Sequence, residues 1–202
     1  RPAAVHFYNF ATPYRLAGPG SIGGAASLNH HGTSSITLLS DNTYSGATSI
    51  LDPAGLIEVG DGGTSGSLGS GPVSILGELV FDRSDEVTLA NAVDGDFGLF
   101  THQGSGRLTL ASNHTGVIDY AVTAGTLQVG DGGATGALAP MSPVDLPAGS
   151  RVEFRRDGVG VAIDAEFFGP GTLGFSGTGS PGESAYSLNG PSTSFTGEVR
   201  VD

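Results

Sequence analysis

The acids Asp94 and Asp96, with Asp82, Asp85 and Glu86 nearby in sequence, are the residues of this 202-residue chain whose types most plainly fit a reaction. Glycoside hydrolysis needs two carboxyl groups at a fixed separation, one to protonate the leaving group and one to act as base or nucleophile. No histidine-glycine or arginine-lysine motif accompanies this cluster, and a polysaccharide lyase would want a basic side chain beside calcium-binding acids. A solvated turn is the plainer reading, and no catalytic residue is assigned. The second candidate is Gly60-Asp61-Gly62-Gly63, repeated as Gly130-Asp131-Gly132-Gly133. Glycine and aspartate in tandem nonapeptides hold calcium in some β-rolls, but one copy per repeat leaves the oxygen shell incomplete, and a glycine turn is expected. A serine-nucleophile loop is excluded because Gly62 and Gly132 stand where the serine would have to be. The third is histidine at 30, 31, 102 and 114, since imidazole is a common metal ligand.

What must position these residues is a repeat. Leu56-Ile57-Glu58-Val59-Gly60-Asp61-Gly62-Gly63 returns 70 residues later as Thr126-Leu127-Gln128-Val129-Gly130-Asp131-Gly132-Gly133. His30, Gly32, Ile36, Thr37, Leu38 and Ser40 return at an offset of 72 as His102, Gly104, Leu108, Thr109, Leu110 and Ser112. Leu79 and Phe81 return at 73 as Val152 and Phe154. Fainter copies pair Ala4-Val5-His6-Phe7 with Arg151-Val152-Glu153-Phe154, and Phe195-Thr196-Gly197 with Tyr44-Ser45-Gly46 and His114-Thr115-Gly116. The chain divides into a partial repeat 1–29, repeats 30–101 and 102–168, and a partial repeat 169–202. Because His30 and His102 are repeat equivalents, they are expected about three coils apart, roughly 15 Å at about 4.8 Å per coil. One ion cannot bridge that, so no metal site is assigned and a turn or surface position is expected for them.

The segments between turns alternate polar and apolar residues over about four to six positions, as in Arg107-Leu108-Thr109-Leu110, which is the period of short strands with one buried face. Helical spacing is nearly absent. Glycine is 35 of 202 residues, yet the hydrophobic fraction of 38% is too high for a disordered tail. All eight basic residues are arginine and the net charge is −12, which argues against a nucleic-acid partner. Cysteine is absent, so there are no disulfides and no thiolate ligands. No apolar run is long enough to insert this segment in a membrane, and a signal peptide is not seen.

At Gly106-Arg107-Leu108-Thr109-Leu110-Ala111-Ser112-Asn113-His114-Thr115-Gly116 and the Gly-Thr-Leu-Gln-Val-Gly-Asp-Gly-Gly stretch beginning at Gly125, the sequence resembles the autotransporter-associated β-strand repeat. Ile36-Thr37-Leu38, Asn42-Thr43-Tyr44-Ser45-Gly46 and the run from Leu56 to Gly63 form a second match, so the resemblance covers about residues 30 to 140 well. It implies a right-handed parallel β-helix in a passenger-type protein secreted by or displayed on bacteria.

The fold expected is therefore all-β, a right-handed parallel β-helix (β-solenoid) with about three coils in each repeat of about 70 residues. An open solenoid end exposes apolar core and unpaired strand edges. The aromatic cluster Phe7, Tyr8, Phe10 and Tyr14, with Val199 and Val201 at the other end, is the expected interface. The function expected is a non-catalytic structural solenoid, outside the cell or on a bacterial surface, serving as an adhesin or passenger segment or as a head-to-tail subunit of a filament. Self-association through the ends, further repeats of a longer chain, or a glycan or matrix ligand would supply the partner, and no cofactor is called for. The alternatives are a β-helix enzyme degrading polysaccharide and a glycan-binding module.

Overall fold

The computed structural model describes residues 2–157, 160–177, 186–191 and 194–201, so Arg1 and Asp202, at the limits of the partial repeats, lie outside the described residues. Among the described residues there is no helix, and every strand pair runs parallel. Parallel neighbours cannot be joined by a hairpin, so the chain must travel round before it returns to the same edge. It does so as an all-β parallel solenoid of about eight turns.

Two faces begin the coil. The first stacks Ala4–Phe7, Ser27–His30, Thr48–Ile50 and Val73–Ile75, then the leading halves of the long strands Val93–His102 and Thr115–Val122. The second stacks Tyr14–Leu16, Ser35–Leu38, Leu56–Gly60 and Glu78–Asp82, the trailing halves of the same two long strands, then Pro143–Asp145 and Glu166–Phe168. A third face starts at Glu86–Leu89 and continues through Arg107–Leu110, Thr126–Val129, Arg151–Arg155, Thr172–Ser176 and Glu198–Val201. Below it the corner is closed by Gly23–Gly24 against Thr43–Tyr44.

Alternation within each short strand sends every second side chain inward, and parallel register stacks like on like. On the second face Ile36, Ile57, Leu79, Phe100, Tyr120, Val144 and Phe167 form one inward row, spaced by 20 to 24 residues, and none is more than 2% exposed. Each such side chain contributes about 1.5–3 kcal/mol relative to exposure. Because each coil touches only its neighbours, that stabilisation is distributed along the axis.

The register shows how the sequence repeat maps onto the coils. From Ile36 the ladder climbs three rungs to Phe100, through Ile57 and Leu79. Its repeat equivalent Leu108 stands on the third face instead, in the row Val87, Leu108, Leu127, Val152, Leu173 and Val199. The same holds for Ile57 and Leu127, and for Leu79 and Val152. Repeat equivalents are thus three rungs apart plus one change of face.

Candidate functional site

The acids grouped by sequence are separated by the fold. Asp94 and Asp96 sit two residues apart on one strand and are exposed on the outer side of the first face, where the Thr115 hydroxyl donates to Asp94 Oδ1 at 2.6 Å. Asp82 closes a second-face strand and accepts from Gln103 Nε2 at 3.3 Å. Asp85 precedes the third face, where the Arg83 guanidinium donates to both of its oxygens, at 2.9 and 2.7 Å, and holds its pKa below the ordinary carboxylate value. Glu86 lies 4.0 Å from Arg107 Nε. Coil geometry places the five acids on three sides of the molecule.

The histidines correct the sequence expectation. His30 and His102 are buried, at 0% and 1% exposure, not at surface turns, and His114 is buried at 2%. His30 ends a first-face strand between Phe7 and Ile50 in register, and His102 ends a second-face strand between Phe81 and Val122, so both rings fill inward positions. Burial is tolerated because one ring nitrogen of each has a partner. His30 Nε2 donates to Asn9 Oδ1 at 3.0 Å, and His102 Nε2 to the Gly106 carbonyl at 3.3 Å. His114 Nδ1 lies 3.0 Å from the Tyr120 hydroxyl, which in turn accepts from the Ala139 N–H at 3.2 Å. Desolvation lowers the pKa of His30 and His102 and takes that of His114 down to about 4, while it raises the Tyr120 phenol. His31 alone of the four stays near the surface, stacked on Tyr8 with ring centroids 4.5 Å apart. Among the described residues no three histidine or acidic side chains gather where an ion could sit.

The two Gly-Asp-Gly-Gly segments have the same build. Gly60 and Gly130 have φ of +90° and +88°, and Gly62 and Gly132 of +85° and +98°, a region that side chains rarely enter. The Gly62 N–H donates to the Asp82 carbonyl of the next coil, and the Gly132 N–H to the Arg155 carbonyl, both at 2.9 Å. An arginine from that coil braces each loop, Arg83 on the Gly66 carbonyl and Arg156 on the Ala134 carbonyl. Asp61 turns outward to Arg15 at 2.7 Å, and Asp131 Oδ1 accepts from the Gly133 N–H at 3.0 Å. Each carboxylate serves its own surroundings.

The aromatic cluster divides. Phe7 is partly buried, and Tyr14, 49% exposed, meets it on the first coil with ring centroids 6.3 Å apart, while Tyr8 and Phe10 are 62% and 61% exposed. Val199 and Val201, on the last coil, are 54% and 79% exposed. Ala4–Phe7, Tyr14–Leu16 and Glu198–Val201 each pair on one edge only among the described residues. Sequence reasoning passed over a further set, the exposed Leu51, Phe97, Val117 and Met141. Positive φ at Phe97 and Met141 was not legible from residue type.

This fold, with its glycine corners and continuous core, defines a parallel β-solenoid. A stretch of 80 residues, 38% of the chain, is 38% identical to the Adhesin BmaC autotransporter of Brucella suis biovar 1 (strain 1330). The matched region corresponds to only 2% of that adhesin. No family model and no solved structure matches the chain.

Proposed function

We propose that the chain is a non-catalytic structural segment of a bacterial surface or extracellular protein, working either as part of an adhesin-like passenger or as a subunit that stacks head to tail. The observation that carries this reading is a single core running unbroken through the stacked coils, in a chain similar over 80 residues to a passage of an autotransporter adhesin. Many of its chemistry-bearing side chains serve the scaffold: His30, His102 and His114 lie in the core, Arg83 and Arg156 brace loop carbonyls, and the acids grouped in sequence stand on separate faces. The winding is taken as right-handed, the hand of nearly all parallel crossovers. Repeats advance by three coils and one further face, so successive copies of a motif wind round the rod. The one-sided ladders at Ala4–Phe7 and Glu198–Val201 are where another copy or further repeats would add, with Phe7, Tyr8, Phe10, Tyr14, Val199 and Val201 at the contact. Electron microscopy of the purified chain over a range of concentrations tests this. Discrete rods fit a passenger segment and continuous fibres fit a stacking subunit, whereas a compact monomer at high concentration rules out the stacking form.

A further inference from the structure

The large apolar side chains left exposed are not scattered. Of the ten among the described residues, Phe10 and Tyr14 lie at the first coil and Leu188, Val199 and Val201 at the last. The other five, Tyr8, Leu51, Phe97, Val117 and Met141, fall on one corner, where the first face turns into the second. Register places them there. Phe7, His30, Ile50, Ile75, Gly95 and Gly116 are successive partners on the first face, and the residues that follow them are Tyr8, His31, Leu51, Leu76, Asp96 and Val117. Phe97 is the extra residue of a bulge just after Asp96. Met141 stands one coil above Val117, since Asn113 pairs with Ala137 and Tyr120 with Val144. Repeat equivalents change face, so this alignment is not a by-product of the repeat.

Phe97 and Met141 are singled out twice. They are the two most exposed large apolar residues, at 81% and 84%, and the only non-glycine residues with positive φ among those described, at +62° and +57°. A side chain in the left-handed region strains the backbone, and showing it to water gives the fold nothing back. Val117 lies between them, and Val117 and Met141 continue into a groove of about 700 Å³ whose lining also includes Leu138, Pro140 and Ile163. Exposed acids flank this apolar knuckle, Asp94 and Asp96 on the first face and Asp119 on the second, with Asp164 in the groove. Arg156 is the one cation in the groove lining, and its guanidinium is engaged by the Ala134 carbonyl.

We infer that Phe97, Val117 and Met141 form a lateral docking surface for a foreign polypeptide segment that carries an apolar anchor between basic residues. Complementary charge decides between occupants. A second copy of this chain has no lysine and a net charge of −12, and would bring its own acids against these. The surface lies on the side of the rod, so it does not depend on whether the ends stack.

The test is fluorescence anisotropy on the whole chain with a labelled, end-blocked peptide Lys-Lys-Leu-Phe-Leu-Lys-Lys. Expected are saturable binding that weakens with added salt, a loss of at least about tenfold in affinity in the Phe97→Ser, Met141→Ser double variant, and a comparable loss when Asp94, Asp96 and Asp119 become Asn. Phe97→Gly separates docking from folding, because glycine relieves the backbone. It is expected to lose affinity while its melting temperature holds or rises. Equal binding by the double variant, equal binding of the peptide with glutamine in place of lysine, or a marked fall in melting temperature for Phe97→Gly would each overturn the assignment. A wild-type dimer that the double variant dissolves would give the surface to a second copy and overturn it too.

Discussion

His114 shows what one residue does in this scaffold and why its role was hard to read. Polar type and rarity of full burial place a histidine outside, yet the sequence held a counter-signal: His114-Thr115-Gly116 aligns with Tyr44-Ser45-Gly46 and Phe195-Thr196-Gly197. Tyr44 is fully buried, and Phe195 packs against the core. The position takes a ring, and the glycine two residues later lies against a carbonyl of the coil below, that of Ala26, Gly95 or Gly171. Burial has a price in acid. The unfolded chain binds a proton at His114 near pH 6.5 and the folded chain only near pH 4, so stability present above pH 6.5 is lost as the pH falls, by up to about 3 kcal/mol below pH 4. His30 and His102 shift in the same direction. Urea unfolding at pH 7 and pH 4 is expected to show a smaller acid loss in His114→Phe than in the wild type. Gly116→Ala, which brings a methyl against the Gly95 backbone at a φ of +77°, is expected to destabilise by about 1–3 kcal/mol in the same assay.

Strands and their turns were the most legible level. Period-two alternation marked Arg107–Leu110, Thr126–Val129 and Arg151-Val152-Glu153-Phe154 as short strands with one buried face; all three are strands, but only the last alternates in burial, because Thr109 and Gln128 are covered as well. The change of face between repeats was not legible, because matching segments carry the same inward pattern whichever side of the coil they line. Double-cysteine spin labelling reads it directly, helped by the absence of native cysteine. Ser35 and Leu99 share a ladder through Leu56 and Glu78, so labels there are expected to lie about 15 Å apart. Labels at Ser35 and its repeat equivalent Arg107 are expected farther apart, and the reverse order would mean that repeats stack directly. The loops add a second element-scale expectation. Arg83 ties the Gly66 carbonyl to Asp85 with a side chain only 12% exposed, so Arg83→Ala is expected to cost about 1–3 kcal/mol in thermal unfolding.

At the scale of the whole molecule, composition and repetition were enough for an all-β solenoid, since abundant glycine with a substantial apolar fraction fits many tight turns around a continuous core. The acids drew attention through proximity in sequence, which a coil of 20 to 24 residues undoes by sending neighbours to different faces. The apolar corner escaped notice for the converse reason: Leu51, Phe97, Val117 and Met141 are far apart in sequence and converge only through register. The proposed stacking, display and lateral docking would all use surfaces that run across coils. The most direct measurement is adherence. A non-adherent bacterium displaying the full chain is to be compared with its vector control on protein-matrix and glycan-coated surfaces. Attachment or cell-to-cell clumping several-fold above the control is the expected result. Attachment and clumping equal to the control, with the chain confirmed at the surface, would contradict an adhesive structural role.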